Sequence, residues 1–166
     1  MENLQTKSTI ANLQDHARLW VYQSNRAFTP AETLEIAQTL NSFVSQWAAH
    51  GSQLSAAFEI VNNQFIVLAV DERQAAASGC SIDSSVGLVR QMEAKYDLTL
   101  LDKSLVAFLD GDDLNIIPFN KAKATIESGS IKKDTIIFNN AVASVGEWKT
   151  NWKQQAADSW MSRFFH

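Results

Sequence analysis

A single cysteine, Cys80, stands among 166 residues, so no disulfide can close within the chain. A disulfide-stapled secreted scaffold is excluded, and a reducing, cytoplasmic setting is the natural expectation. No apolar run approaches the roughly 20 residues that span a bilayer. The polar stretch Met1 to Asp15 lacks the basic start and apolar centre of a signal peptide, so neither export nor insertion is expected. No Cys-x-x-Cys or His-x-x-x-His spacing is present, so no metal site and no cofactor is expected. Prolines number two, and no Pro/Ser-rich linker, repeat or low-complexity tract divides the chain. One domain over residues 1–166 follows, with residues 1–17 as a polar N-terminal segment.

What is present is ordinary globular composition, 46% apolar and 19% charged, enriched in large aromatics with five Trp and nine Phe. Each packed aromatic buries on the order of 150–250 Å², so a dense core is expected. The net charge of −4 is uneven. Residues 119–166 carry 7 basic and 4 acidic side chains, against 7 and 14 in residues 1–118. That basic tail is far weaker than a nucleic-acid footprint.

Arg18 to Ser24 is dense in aromatic and β-branched residues and reads as a first strand. Thr29-Pro30-Ala31-Glu32 joins a capping box to a proline at the first helical position, two helix-start signals at one place. Ile36, Leu40, Phe43, Val44 and Trp47 share a face, and Gly51 is placed to cap a helix running to about His50. Ala56–Val61 and Phe65–Val70 flank Asn62-Asn63-Gln64 as a hairpin. Ser81 or Asp83 can cap a second helix carrying Leu88, Val89, Met92 and Tyr96, ending near Asp97. Leu105–Leu109 and Leu114–Phe119 flank Asp110-Gly111-Asp112-Asp113 as another hairpin.

The order strand, helix, strand, strand, helix, strand predicts an α+β fold. Its core would be a ferredoxin-like βαββαβ unit, one antiparallel sheet with both helices on one face. Lys121–Ser128 reads as a short helix and Thr135–Asn139 as a short strand. Trp148, Trp152, Ala156, Trp160 and Phe164 recur every four residues. That spacing predicts an aromatic helix over 146–166, docked on the body or forming a homodimer contact. The alternation of Trp148 and Trp152 with Lys149 and Lys153 also admits stacking on single-stranded nucleic acid, although packing explains it more simply.

Ser78-Gly79-Cys80-Ser81-Ile82-Asp83 is the segment with the most chemistry. Unpaired N–H groups and the positive dipole end at a helix start would stabilise a Cys80 thiolate. Gly79 with the hydroxyls of Ser78 and Ser81 would equally cradle a small anion. A thiol nucleophile would draw on His50 or Asp83, with Arg26 or Arg73 holding an acidic substrate. Against this, a lone cysteine is commonly a small packing residue, Ser81 or Asp83 a plain cap, and His50 a surface group. The favoured expectation is a non-enzymatic ligand-binding or protein-interaction module. A thiol-dependent enzyme is the alternative.

Trp20 to Arg26, Trp47 to Gly51, Ser78 to Ser85, Thr135 to Asn140 and the terminal Trp/Phe stretch together resemble a family of short uncharacterised bacterial proteins. Its members are often labelled ABC transporter ATPases. No G-x-x-x-x-G-K-[ST] loop is present here to hold phosphates. The resemblance therefore implies family membership without an ATPase activity and assigns no catalytic residue.

Overall fold

The computed structural model describes residues 10–49, 51–72 and 77–165. It is an α+β protein built on two antiparallel sheets. In the first sheet, β1 (Arg18–Gln23) and β4 (Ser55–Val61) flank the central β5 (Phe65–Asp71). The second sheet runs in the order β7 (Asp113–Pro118), β6 (Leu105–Asp110), β8 (Ile136–Phe138), β9 (Lys153–Gln155). A two-residue ribbon, β2 (Ala48–Ala49) with β3 (Ser52–Gln53), stands apart.

Every residue of β5 is buried, because its apolar run is continuous rather than alternating. Ile66, Leu68 and Val70 face helices α1 (Pro30–Gln46) and α2 (Gly79–Tyr96). Phe65, Val67 and Ala69 face the opposite way, onto Ala107 and Phe138 of the second sheet. The outer face of that sheet is covered in turn by α3 (Ala122–Glu127) and the C-terminal turns, through Ala122, Ile131 and Met161.

This arrangement corrects the single-sheet expectation. Strands β1, β5 and β4 take the order of a split βαβ unit, but the fourth strand, β6, does not pair with β1. It enters the second sheet instead, because the other face of β5 also needs an apolar cover.

Thr29 caps α1, and its hydroxyl and the Glu32 side chain bond each other's backbone N–H in the expected capping box. The helix stops at Gln46, four residues short of the expected end. Trp47 turns extended and sinks into the core, with its indole N–H donating to the Ser81 carbonyl at 2.8 Å. Gly51, at φ +80°, therefore sits in the turn between β2 and β3 rather than at a helix end. Helix α2 is capped by Ser78, three residues before Ser81 and five before Asp83, the two expected caps, and closes at Asp97 in the left-handed region.

The long aromatic helix over 146–166 does not form. Helix α4 covers Val145–Asn151, β9 follows at once, and 3-10 turns complete the chain. The spacing of four fails as a helical signal because the aromatics serve different cores. Trp152 packs edge-on against Phe65 at 5.0 Å, whereas Trp160 stacks on Phe119 at 5.0 Å. Trp148 is half-buried and Trp152 buried, so Trp148, Trp152 and Trp160 present no common stripe to a second copy.

Arg26 fixes the start of α1 to the end of α2. Its guanidinium bonds both Glu32 carboxylate oxygens at 2.8 and 2.9 Å and the Tyr96 carbonyl at 2.6 Å. The Arg26 hydrogen bond, then the Thr29 backbone N–H, pull the Glu32 carboxyl down to about 2 from an ordinary value of 4.5. A lowered folded-state value adds stability that is complete above the ordinary value and lost as pH falls through the folded one. Glu32→Gln should cost about 1 kcal/mol at pH 7. It should also flatten the loss of stability between pH 4.5 and pH 2, as read by urea unfolding across that range. An unchanged acid limb would contradict the clamp.

Candidate functional site

Because β6 leaves β1 unflanked, a groove of about 750 Å³ lies along the outer edge of β1. One wall comes from Leu100, Leu101 and the first residues of β6, the other from the loop Asn139–Ala143. Trp160 and Phe119 reach it as a stacked, solvent-exposed pair.

The open lane is short. At its Arg18 end, Leu19 N–H donates to the Ala143 carbonyl at 3.1 Å, and Arg18 bridges Ser144. At its other end, the buried Gln23 carboxamide donates to the Leu105 carbonyl at 3.4 Å and accepts from Asn140 Nδ2 at 2.8 Å. Asn140 Oδ1 in turn accepts from the indole N–H of the buried Trp152 at 2.9 Å. This chain of bonds pins the two sheets together where their strands do not pair.

Between these closures lies Val21. In an antiparallel strand, alternate residues point their N–H and C=O groups to opposite sides. Since Leu19 bonds away from β5, Val21 does too. Among the described residues its outward N–H and C=O have no partner, and both belong to a residue lining the groove. Burial raises the Tyr22 phenol above its ordinary value, against the opposing hydrogen bond with Ser85, so this wall stays uncharged near neutrality. Charge at the rim is balanced. Arg18 lies over Trp20 and 3.6 Å from Glu72, and exposed Lys103 follows exposed Asp102. Ser104 hydrogen bonds hold the Asp102 carboxyl below its ordinary value.

The residues singled out from sequence lie elsewhere. Cys80 is exposed on the first turn of α2 and does not line the groove. Ser78 Oγ accepts from Ser81 N–H, the Ser81 hydroxyl donates to the Ser78 carbonyl, and Ser84 and Ser85 donate to Cys80 and Ile82 carbonyls. Those hydroxyls are turned onto their own helix, as in a capped helix start. Gly79 and Asp83 are exposed on the same turns. Arg26 is engaged by Glu32, Tyr96 and Ala27, at the opposite end of α2 from Cys80. His50 and Arg73 lie outside the described residues. Among the described residues no three His, Cys, Asp or Glu side chains cluster as a metal site, and no helix is long and apolar enough to cross a membrane.

Gln23, Asn140 and the Val21 edge were not singled out from sequence. The available signal was a glutamine closing an otherwise apolar strand, where burial demands a partner. Compared with family models, curated proteins and solved structures, the chain matches none.

Replacing Gln23 by Leu should leave Asn140 Nδ2 and the Leu105 carbonyl without their bonds. The expected loss is about 1–3 kcal/mol in urea unfolding. A change under about 0.5 kcal/mol would mean that the polar chain contributes no fastening.

Proposed function

We propose that this protein is a non-catalytic binding module for a small, neutral, largely apolar molecule, held in the groove beside β1. The observation that carries this reading is the groove itself. At about 750 Å³ it falls within the span of small-molecule sites, about 300–1,000 Å³. It combines aliphatic and aromatic walls with a few convergent polar groups, the composition by which such sites fix orientation. The balanced rim charges favour a neutral ligand over the anion expected at the start of α2. That helix start has its hydroxyls satisfied internally, and Cys80 stands outside the groove.

Nile red, a neutral dye that brightens in apolar surroundings, tests the site. It should bind the wild-type chain one to one, and Ala141→Trp, at an exposed position lining the groove, should weaken it at least about tenfold by filling the space. Equal binding to both proteins, or none to the wild type, would overturn the proposal.

A further inference from the structure

An edge strand inside a groove offers a ligand something an apolar pocket does not. The outward N–H and C=O of one extended residue stand side by side, a donor beside an acceptor. In a sheet they would exchange both bonds with one residue of the next strand. At Val21 that next strand is missing, and among the described residues nothing replaces it. The pair belongs to a residue lining a groove with mainly apolar walls, where a ligand that bonds both groups takes the place of water.

Resting on the reading of this groove as a ligand site, we infer that its ligand is a flat heterocycle with a cis-amide edge, such as a lactam or an amide-like ring N–H and C=O. That edge pairs with Val21, the ring N–H donating to the Val21 carbonyl and the ring carbonyl accepting from the Val21 N–H.

Three observations favour a compact ring over an extended peptide. The lane is stopped at one end by the Leu19–Ala143 bond and at the other by the Gln23–Leu105 and Gln23–Asn140 bonds. The span from Leu19 to Gln23 is four residues of rise, about 13 Å at roughly 3.3 Å each, which leaves a through-running strand no more than the outward groups of Val21 and Gln23, the latter beside its own side-chain bonds. The exposed Phe119–Trp160 stack supplies a flat aromatic surface at the same groove, suited to a ring face. No covalent step is involved; the inference concerns recognition alone.

Displacement of Nile red by three probes of similar size tests it: quinolin-2(1H)-one, its N-methyl derivative, and naphthalene. Quinolinone should compete best and move the Val21 amide resonance. The N-methyl derivative, which loses the donor, and naphthalene, which loses both groups, should each be at least about tenfold weaker. Val21→Pro removes the backbone donor at an outward-facing edge position, where proline is tolerated. It should weaken quinolinone about tenfold, the loss of one hydrogen bond, and leave naphthalene unchanged. If the three probes displace the dye equally, or none displaces a dye that Ala141→Trp excludes, the cis-amide inference falls while the groove remains a binding site. If Nile red itself ignores Ala141→Trp, the site reading falls first. The N-methyl comparison needs no protein variant, so a misfolded Val21→Pro does not remove the test.

Discussion

A strand that is apolar on both faces has to be covered on both. Phe65-Ile66-Val67-Leu68-Ala69-Val70 is such a strand, and the rest of the architecture follows from it. Burying a large apolar side chain contributes about 1.5–3 kcal/mol, so exposing either row would cost several kcal/mol, a large share of a domain's margin of about 5–15 kcal/mol. Helices α1 and α2 cover one row. The chain after α2 covers the other, and it does so as a sheet, with Phe138 and Trp152 closing on Phe65 at 4.9 and 5.0 Å.

That obligation competes with another. After α2, the same six residues of β6 could flank β1 or head the covering sheet, but not both. The covering role wins, and β1 is left as an edge whose two ends are closed by other means. The loop Asn139–Ser144 bonds the start of β1, and the Trp152–Asn140–Gln23–Leu105 chain bonds the end. Edge strands with open backbone groups invite pairing with other chains, and short, covered edges are the usual protection. Here the protection is incomplete over the outward backbone groups of Val21 and, beside its own side-chain bonds, of Gln23.

Much of the local structure was legible in the sequence. Thr29-Pro30-Ala31-Glu32 marked the start of α1, the asparagines at 62 and 63 marked the turn they make at φ 53°, and Gly111 marked the β6–β7 turn. These signals are local, and local chemistry decides them. The second sheet was legible in principle but was missed. A run of six apolar residues without alternation says that both faces are buried, which one helical layer cannot satisfy. The aromatic spacing after Trp148 misled because a period of four is also what separate contacts can produce by coincidence.

The groove was not legible, because it is assembled from β1, the approach to β6, the loop after β8 and Trp160. Its central bond joins Gln23 to Asn140, 117 positions apart. Conversely, the chemistry-bearing segment around Cys80 was conspicuous because serine, glycine and cysteine suit both a helix cap and a reactive site. Sequence composition does not separate these roles; in the fold the serine hydroxyls point into the helix.

The whole account depends on the backbone of Val21 being open to the groove while its neighbours are sealed into the sheet. Amide hydrogen exchange measured residue by residue along β1 addresses that directly. The account predicts that the Val21 N–H exchanges at least about a hundredfold faster than those of Trp20 and Tyr22, which face β5. Protection of Val21 equal to theirs would mean that another segment already occupies the lane, and would contradict it.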